Sequence, residues 1–400
     1  MAVCGAVSAP AFAEPEITVP DGFSIDIFHE GVGRARHLAV RENGDVFVGL
    51  RSGRLIALRD ADKDGAADEV QRRRAPIHTG AEIYEGFLYV SDARRVSRIA
   101  LGDDLMPDGP FETMVSGFPT QTQHEVKPFA FDGAGGLYVN VGAPSNACQE
   151  EMRTPGSPGL TPCPQLARQA GVWRFSATTP GQTQADGERF ATGSRNSLAI
   201  AWHAERGALY AVPHGRDQLD TLWPEHFSAE DNAEAPGGEV HLVREGAHLG
   251  WPFTYYDPRK NQRMLAPEYG GDGDTPADAG AYAEPIYVFP GHWAPNDMEI
   301  YLGDQFPERY RGGAFIAFHG SWNRAPLPQE GYRVSFLPLG EDGAGPSEDF
   351  ATGFSGDKPI LSPSAAPYRP TGLAIGPDGA LFIADSVDGR IWKVTYEGGA

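Results

Sequence analysis

Cysteine is scarce: 3 in 400 residues, too few for a disulfide scaffold. None stands in a CxxC, CxxCH or Cys/His zinc spacing, which disfavours covalent haem and structural zinc. Basic charge is scarce as well. Lys and Arg total 33 against 54 Asp and Glu, a formal net charge of -21. Nucleic acid and anionic lipid are poor partners for such a chain, because both are negative. No apolar run is long enough for a transmembrane helix, so membrane insertion is not expected. No stretch keeps a 3.6-residue apolar period, so helices should be few and short.

Turn chemistry, by contrast, is plentiful: 50 glycines and 34 prolines. Both punctuate turns and break helices. A hydrophobic fraction of 40% suffices for a large core. Together these point to an all-β chain of many short strands.

The strands recur as a unit. Leu38 to Val48 (LAVRENGDVFV), Phe129 to Val139 (FAFDGAGGLYV), Leu198 to Val212 (LAIAWHAERGALYAV) and Leu373 to Ile383 (LAIGPDGALFI) each read as strand, polar Gly-containing turn, strand. A third strand follows several of them, as in Gly53 to Leu58, Gly171 to Phe175, Gly238 to Val243 and Gly389 to Val394. Ile83 to Leu101 and Met298 to Leu337 hold two degenerate copies, making six units. A hairpin plus one strand cannot bury both faces alone, so copies must stack. Radial stacking predicts a six-bladed β-propeller; a β-sandwich is the alternative, disfavoured by the length of each unit. Long insertions at Pro144 to Arg168, Asp217 to Pro236 and Trp251 to Pro290 are expected to rim one mouth of its channel.

Residues 1–13 are small and apolar, and Ala11-Phe12-Ala13 before Glu14 resembles a signal cleavage site. We read 1–13 as the remnant of an export signal and 14–400 as one propeller domain, periplasmic or secreted. A floppy alanine-rich start is the other reading. Cys4 would leave with the signal. Cys148 and Cys163 are then expected to pair, closing a surface loop and stabilising by about 3 kcal/mol; two free thiols are the alternative.

Chemistry-bearing residues share one phase of the repeat. Arg36-His37, His124, Arg195-Asn196, His292 and Arg369 all stand just before an innermost strand. A propeller gathers such positions around its axis. Guanidinium forks there would suit a planar ligand with carboxylates.

RNSLAIAWH, HGRDQLD, GGEVHLVREGAHLGWP, FIAFHGSWNRAPLPQEGYRV and RPTGLAIGPDGALFIAD, in this order, resemble the soluble quinoprotein glucose/sorbosone dehydrogenases. That family includes aldose sugar and pyranose dehydrogenases, and the resemblance runs from about residue 18 to the end. It implies a six-bladed propeller holding pyrroloquinoline quinone with calcium. It implies that His124 is the general base, taking the proton of the substrate C1 hydroxyl while hydride passes to the quinone. It implies that Arg195 and Asn196 contact the quinone, that Arg324 and Arg369 face its carboxylates, and that His292 is a polar neighbour. The backbone carbonyls of His214 and Arg216 would ligate calcium, with Asp217 nearby. The substrate would be a sugar or related alcohol or aldehyde. Electrons would leave to a separate acceptor, a cytochrome or quinone. The chain departs from the family at Gly238, where an acidic residue is common, in the long acidic 217–236 insertion, and around Gln123 and the following EVKP.

Asp60, Asp62, Asp64 and Asp68, with Gly65, follow EF-hand logic, although position 12 is Gln71. A second calcium there and a solvated acidic turn are the two readings. Two further functions are open on sequence alone: a metal-dependent lactonase-like hydrolase, which needs carboxylate and Asn ligands on the axis, and a non-enzymatic binding propeller.

Overall fold

A computed structural model of the chain describes residues 16–398. The export-signal reading of 1–13, Cys4 included, lies outside the described residues.

Six antiparallel sheets, each built on four strands, stand around one axis. From axis to rim, blade 1 is Ala35–Val40, Val46–Leu50, Arg54–Arg59 and Glu69–Arg74. Blade 2 is Ala81–Tyr84, Phe87–Ser91, Val96–Ala100 and Glu112–Ser116. Blade 3 is Phe129–Phe131, Gly136–Val141, Gly171–Ser176 and Glu188–Thr192. Blade 4 is Ala199–His203, Ala208–Val212, Gly238–Val243 and Tyr287–Phe289. Blade 5 is Pro295–Ile300, Ala314–Phe318, Arg333–Leu337 and Glu348–Ala351. Blade 6 is Pro370–Ile375, Leu381–Asp385, Ile391–Tyr396 and, from the other end of the chain, Phe23–His29.

The hairpins read from sequence are the inner pairs. Leu38 faces Val48, Phe129 faces Val139 and Leu373 faces Ile383. Composition follows distance from the axis. Val46–Leu50 (VFVGL) is buried at every position, because both of its faces meet neighbouring blades. The rim strand Glu69–Arg74 (EVQRRR) is largely solvated. Aromatic rings fill the wedge between blades 5 and 6: Phe315 and Phe350 stand 4.6 Å apart, Phe23 and Phe306 4.8 Å. Such pairs contribute roughly 0.5–1.5 kcal/mol each beyond their buried area.

The ring closes without a covalent link. Phe23–His29 pairs antiparallel with Ile391–Tyr396, with Phe23 opposite Tyr396. At the seam with blade 1, a Cβ on Gly372 would stand 2.1 Å from the carbonyl of Arg36, so only glycine lets the two inner strands approach.

The insertions carry structure of their own. Cys148 and Cys163 form the disulfide, tying the 144–168 loop. The 217–236 segment folds into two short helices, Leu219–Leu222 and Ala229–Glu234. Ser228 caps the second: its hydroxyl accepts from Asp231 N–H, and the Asp231 carboxylate accepts from Ser228 N–H. The 251–290 segment is not wholly an insertion. After the hairpin of Thr254–Asp257 and Gln262–Leu265, its end supplies Tyr287–Phe289, the outer strand of blade 4, with Phe289 opposite Gly238. The intervening length hid that strand from the repeat count.

Candidate active site

The starts of the inner strands do converge. A cavity of about 310 Å³ at the mouth of the channel is lined by Arg36, Arg51, His78, His124, Asn196, His214 and His319, among others. Glu125 is the one carboxylate in its wall. A smaller neighbouring cavity, about 50 Å³, is lined by Arg195, His214, Asp217 and His292. His214 belongs to both walls.

His124 sits on a left-handed residue, φ 48°. Such a backbone costs about 1–2 kcal/mol in a non-glycine residue and needs support. Gln121 gives it: the side-chain amide donates to the carbonyls of Gln123 (2.8 Å), His124 (2.9 Å) and Gly142 (3.0 Å). Gly142 is the floor. A Cβ there would lie 2.7 Å from both the Cβ and the carbonyl oxygen of His124. Nδ1 of His124 is 2.7 Å from the Ala143 carbonyl, which can only accept, so Nδ1 carries the proton and Nε2 is the bare nitrogen. Burial, and then the charge of Arg195, push the imidazole pKa down to about 3.

Arg195 is buried and three partners hold it. Nε donates to the Asn146 carbonyl (3.2 Å), and Nη2 donates to Asn146 Oδ1 (3.1 Å) and Asp217 Oδ2 (2.9 Å). Arg153 closes the cluster on the same Asp217 oxygen at 2.8 Å. Burial alone would raise the Asp217 carboxyl, but the Arg195 and Arg153 charges outweigh it and hold the group well below its usual range. Asn146 also takes the Asp217 backbone on both sides, accepting from its N–H (2.8 Å) and donating to its carbonyl (2.9 Å). The sequence reading missed Asn146. Its one signal is its place two residues before Cys148 in an insertion expected at the rim.

Asn196 Oδ1 is buried without a hydrogen-bond partner. His214 donates from its backbone to the Asn196 carbonyl (2.9 Å), and its Nε2 meets the Pro295 carbonyl at 2.7 Å. Burial lowers its pKa to about 4. The carbonyls of His214 and Arg216 accept no hydrogen bond among the described residues. The Arg216 side chain turns away to Glu268.

The other predicted residues take separate places. His292 Nε2 meets the carbonyls of Asn232 (2.8 Å) and Ala235 (3.0 Å), and its ring faces the Asn323 amide. Arg324 lines neither cavity. It donates to the carbonyls of Ala233 (2.7 Å) and Pro328 (3.1 Å) and pairs with Glu234 at 2.8 Å. Arg369 donates to the carbonyls of His319 (2.9 Å) and Gly320 (2.8 Å). Its charge reaches Arg36. Burial, then Arg51 and Arg369, push the Arg36 guanidinium down to about 10. Asp60, Asp62 and Asp64 lie far out on blade 1, between its third and fourth strands, with carboxylate oxygens within 4.8 Å of one another. Asp68 is engaged by Ala61 N–H.

A family model described as TrAA12-like matches residues 17–397. The chain belongs to the TrAA12-like family. Over 168 residues it is 27% identical to a pyrroloquinoline quinone-dependent pyranose dehydrogenase of Coprinopsis cinerea, a stretch covering 36% of this chain and 22% of that one. The fold is shared with the calcium structure of a Trichoderma reesei family AA12 carbohydrate-active enzyme: TM-score 0.76, 18% identity, 97% and 98% of the two chains covered. It is shared also with the holo form of the quinone domain of the Coprinopsis pyranose dehydrogenase: TM-score 0.72, 18% identity, 95% and 97% covered.

Pyrroloquinoline quinone, named for the Coprinopsis relative, and calcium, named for the Trichoderma structure, can be tested against these residues. A planar polycarboxylate needs positive charge and hydrogen-bonding groups on its edges. The mouth cavity offers Arg36 and Arg51, crowded by Arg369, with Glu125 as its only carboxylate. The orphaned Oδ1 of Asn196 adds an unmatched polar atom. Calcium needs hard oxygen ligands, and the free carbonyls of His214 and Arg216 are of that kind. The donor set fits.

Proposed function

We propose that the protein is a dehydrogenase that uses pyrroloquinoline quinone and calcium to oxidise a sugar or related alcohol or aldehyde. The observation that carries this reading is His124, a neutral imidazole with its protonated nitrogen tied to Ala143 and its bare nitrogen in a cationic cavity. Bound quinone would supply the two-electron acceptor for the substrate's hydride, with calcium polarising its oxygens.

The chain's own residues divide the remaining work. His124 Nε2 takes the proton of the substrate hydroxyl at the carbon being oxidised. The Ala143 bond stops the ring from flipping, so the acceptor nitrogen is in place before substrate arrives. Asn196 and Arg195 would border the quinone, Arg195 being fixed by Asn146 and Asp217. Arg36 and Arg51 would meet the carboxylates, and Arg369, which lines neither cavity, would reach them only by leaving the His319 and Gly320 carbonyls. Arg324 would reach them only by leaving Glu234 and the Ala233 carbonyl. The carbonyls of His214 and Arg216 would hold calcium. His292 and Asp217 wall the adjoining cavity. The Asp60–Asp64 loop, far from this centre, would add a structural ion only.

Electrons would pass to a separate cytochrome or quinone. The disulfide fits an oxidising compartment, so we place the protein in the periplasm or outside the cell. No helix among the described residues is long and apolar enough to cross a membrane. The test is reconstitution with quinone and calcium, followed by dye reduction with a panel of aldoses and alcohols. Quinone binding plus sugar-dependent reduction supports the reading. Absence of quinone binding overturns the cofactor, and binding without reduction across the panel overturns the substrate class.

A further inference from the structure

The turn that would hold calcium is poorly tethered from within. His214 gives its N–H to the Asn196 carbonyl and Asp217 gives its own to Asn146. Between them, the N–H groups of Gly215 and Arg216 donate to no group among the described residues. A third cavity, about 30 Å³, lies against this turn, lined by Gly215, Arg216, Glu239, His241 and Tyr255, among others. Two elements meet the turn across it. Glu239 and His241 come from the third strand of blade 4, Gly238–Val243, where residues two apart share a face. Tyr255 comes from the hairpin strand Thr254–Asp257.

Three of these side chains are buried with polar atoms unmatched. Tyr255 Oη, both ring nitrogens of His241 and Arg216 Nε have no hydrogen-bond partner. The residues are 2%, 1% and 4% exposed, so bulk water does not serve them. His241 Nε2 comes within 3.2 Å of the Glu239 carboxylate, but off the line of a hydrogen bond. A buried polar group left unmatched costs its full desolvation, and four such atoms around one cavity point to a ligand in it. Charge and chemistry narrow the ligand. Glu239 is paired with Arg263 at 2.6 Å and Arg216 with Glu268, so the wall has no spare charge to hold an ion. Arg216 Nε and the two backbone N–H groups only donate, a tyrosine hydroxyl does both, and an imidazole presents a donor and an acceptor. Water answers that mixture. At about 10–15 Å³ for each molecule, the cavity takes about two.

We propose that buried water fills this cavity, and that through it His241 and Tyr255 position the His214–Arg216 turn for calcium. The inference rests on the reading above that the His214 and Arg216 carbonyls hold the ion. The waters would bond Tyr255 Oη and the His241 ring on one side, and Arg216 Nε and the free N–H groups of the turn on the other. The two carbonyls are thereby kept in one orientation, although neither His241 nor Tyr255 touches the ion. Both are positioning residues.

The test begins with high-resolution crystals of the full chain, with and without calcium. Expected is ordered water within hydrogen-bond distance of Tyr255 Oη and the His241 ring, and no anomalous peak there after a bromide soak. A cavity without density, or a bromide peak in it, overturns the proposal. Quinone binding is then titrated by absorbance over a range of calcium concentrations. Tyr255→Phe and His241→Leu should raise the calcium needed for half-maximal binding about 10–100-fold, the usual worth of a partner that orients a metal ligand. Quinone affinity at saturating calcium should stay as in wild type. His241→Gln keeps a donor and an acceptor and should recover most of the loss. A lowered melting temperature with an unchanged calcium requirement, or no recovery with glutamine, would leave the two residues structural only and overturns the proposal. Should His241→Leu not fold, Tyr255→Phe decides, since it loses a single oxygen. A wild type that binds no quinone sinks the functional reading instead. Crystals of Tyr255→Phe then decide this one: displaced His214 and Arg216 carbonyls support it, and an unmoved turn overturns it.

Discussion

Nδ1 of His124 and the carbonyl oxygen of Ala143 lie 2.7 Å apart, and this bond decides which ring nitrogen can act as a base. The carbonyl only accepts, so the proton is on Nδ1 and the Nε2 lone pair is free. His124→Asn would keep a small polar side chain and lose that nitrogen. Dye reduction should fall on the order of 10²–10⁴-fold, the usual worth of a positioned base. Quinone binding, read by absorbance titration, should survive.

The pH dependence has a definite sign. The active form of His124 is the neutral one. Burial and Arg195 hold its pKa near 3, below the ordinary 6.5. The ring therefore stays neutral as pH falls through 6.5, and the kcat/KM profile should show no acid limb there. Asp217 raises the His124 pKa, so Asp217→Asn should move any acid limb lower still. A limb centred near 6.5 would mean that the ring is far more solvated than its surroundings indicate.

Asp217 also holds two guanidinium groups, Arg195 at 2.9 Å and Arg153 at 2.8 Å. Asp217→Asn leaves Arg195 buried without its counter-charge. Removing one partner of a buried pair costs about 3–5 kcal/mol, and the partial exposure of Arg153 sets the value toward the lower end. Urea denaturation should show the midpoint falling with an unchanged slope.

Gly142 tests positioning apart from chemistry. Gly142→Ala puts a methyl group where His124 Cβ and carbonyl now approach, 2.7 Å away. His124 must move, and a displacement of about 1 Å at a reacting group lowers turnover on the order of 10²-fold. The variant should melt within a few degrees of wild type. An unchanged kcat would show that the His124 turn yields freely.

Reducing the disulfide should act at a distance. Cys148 and Cys163 close the loop that carries Asn146, the residue that fixes Arg195 and Asp217. Cys148→Ser/Cys163→Ser should lower stability by about 3 kcal/mol. It should also weaken quinone binding, because Asn146 is no longer held by its own loop.

The sequence by itself determined the all-β class, the six units and the inner hairpins, because alternation and turn residues act within a few positions of one another. Leu38 opposite Val48 needs no more than a short turn. It also placed His124, Arg195 and Asn196 together at the starts of inner strands, since a repeat puts equal phases at equal heights. Only the tertiary structure decided the rest. Asn146 reaches Arg195 from 49 positions away, through a loop whose path no local pattern encodes. Arg324 shares a motif with the site yet pairs with Glu234, 90 residues distant, and Arg51, which stands in no motif, joins Arg36 in the cavity wall. Side-chain charge acts over a few ångströms of space, and which charges become neighbours is settled when the ring shuts.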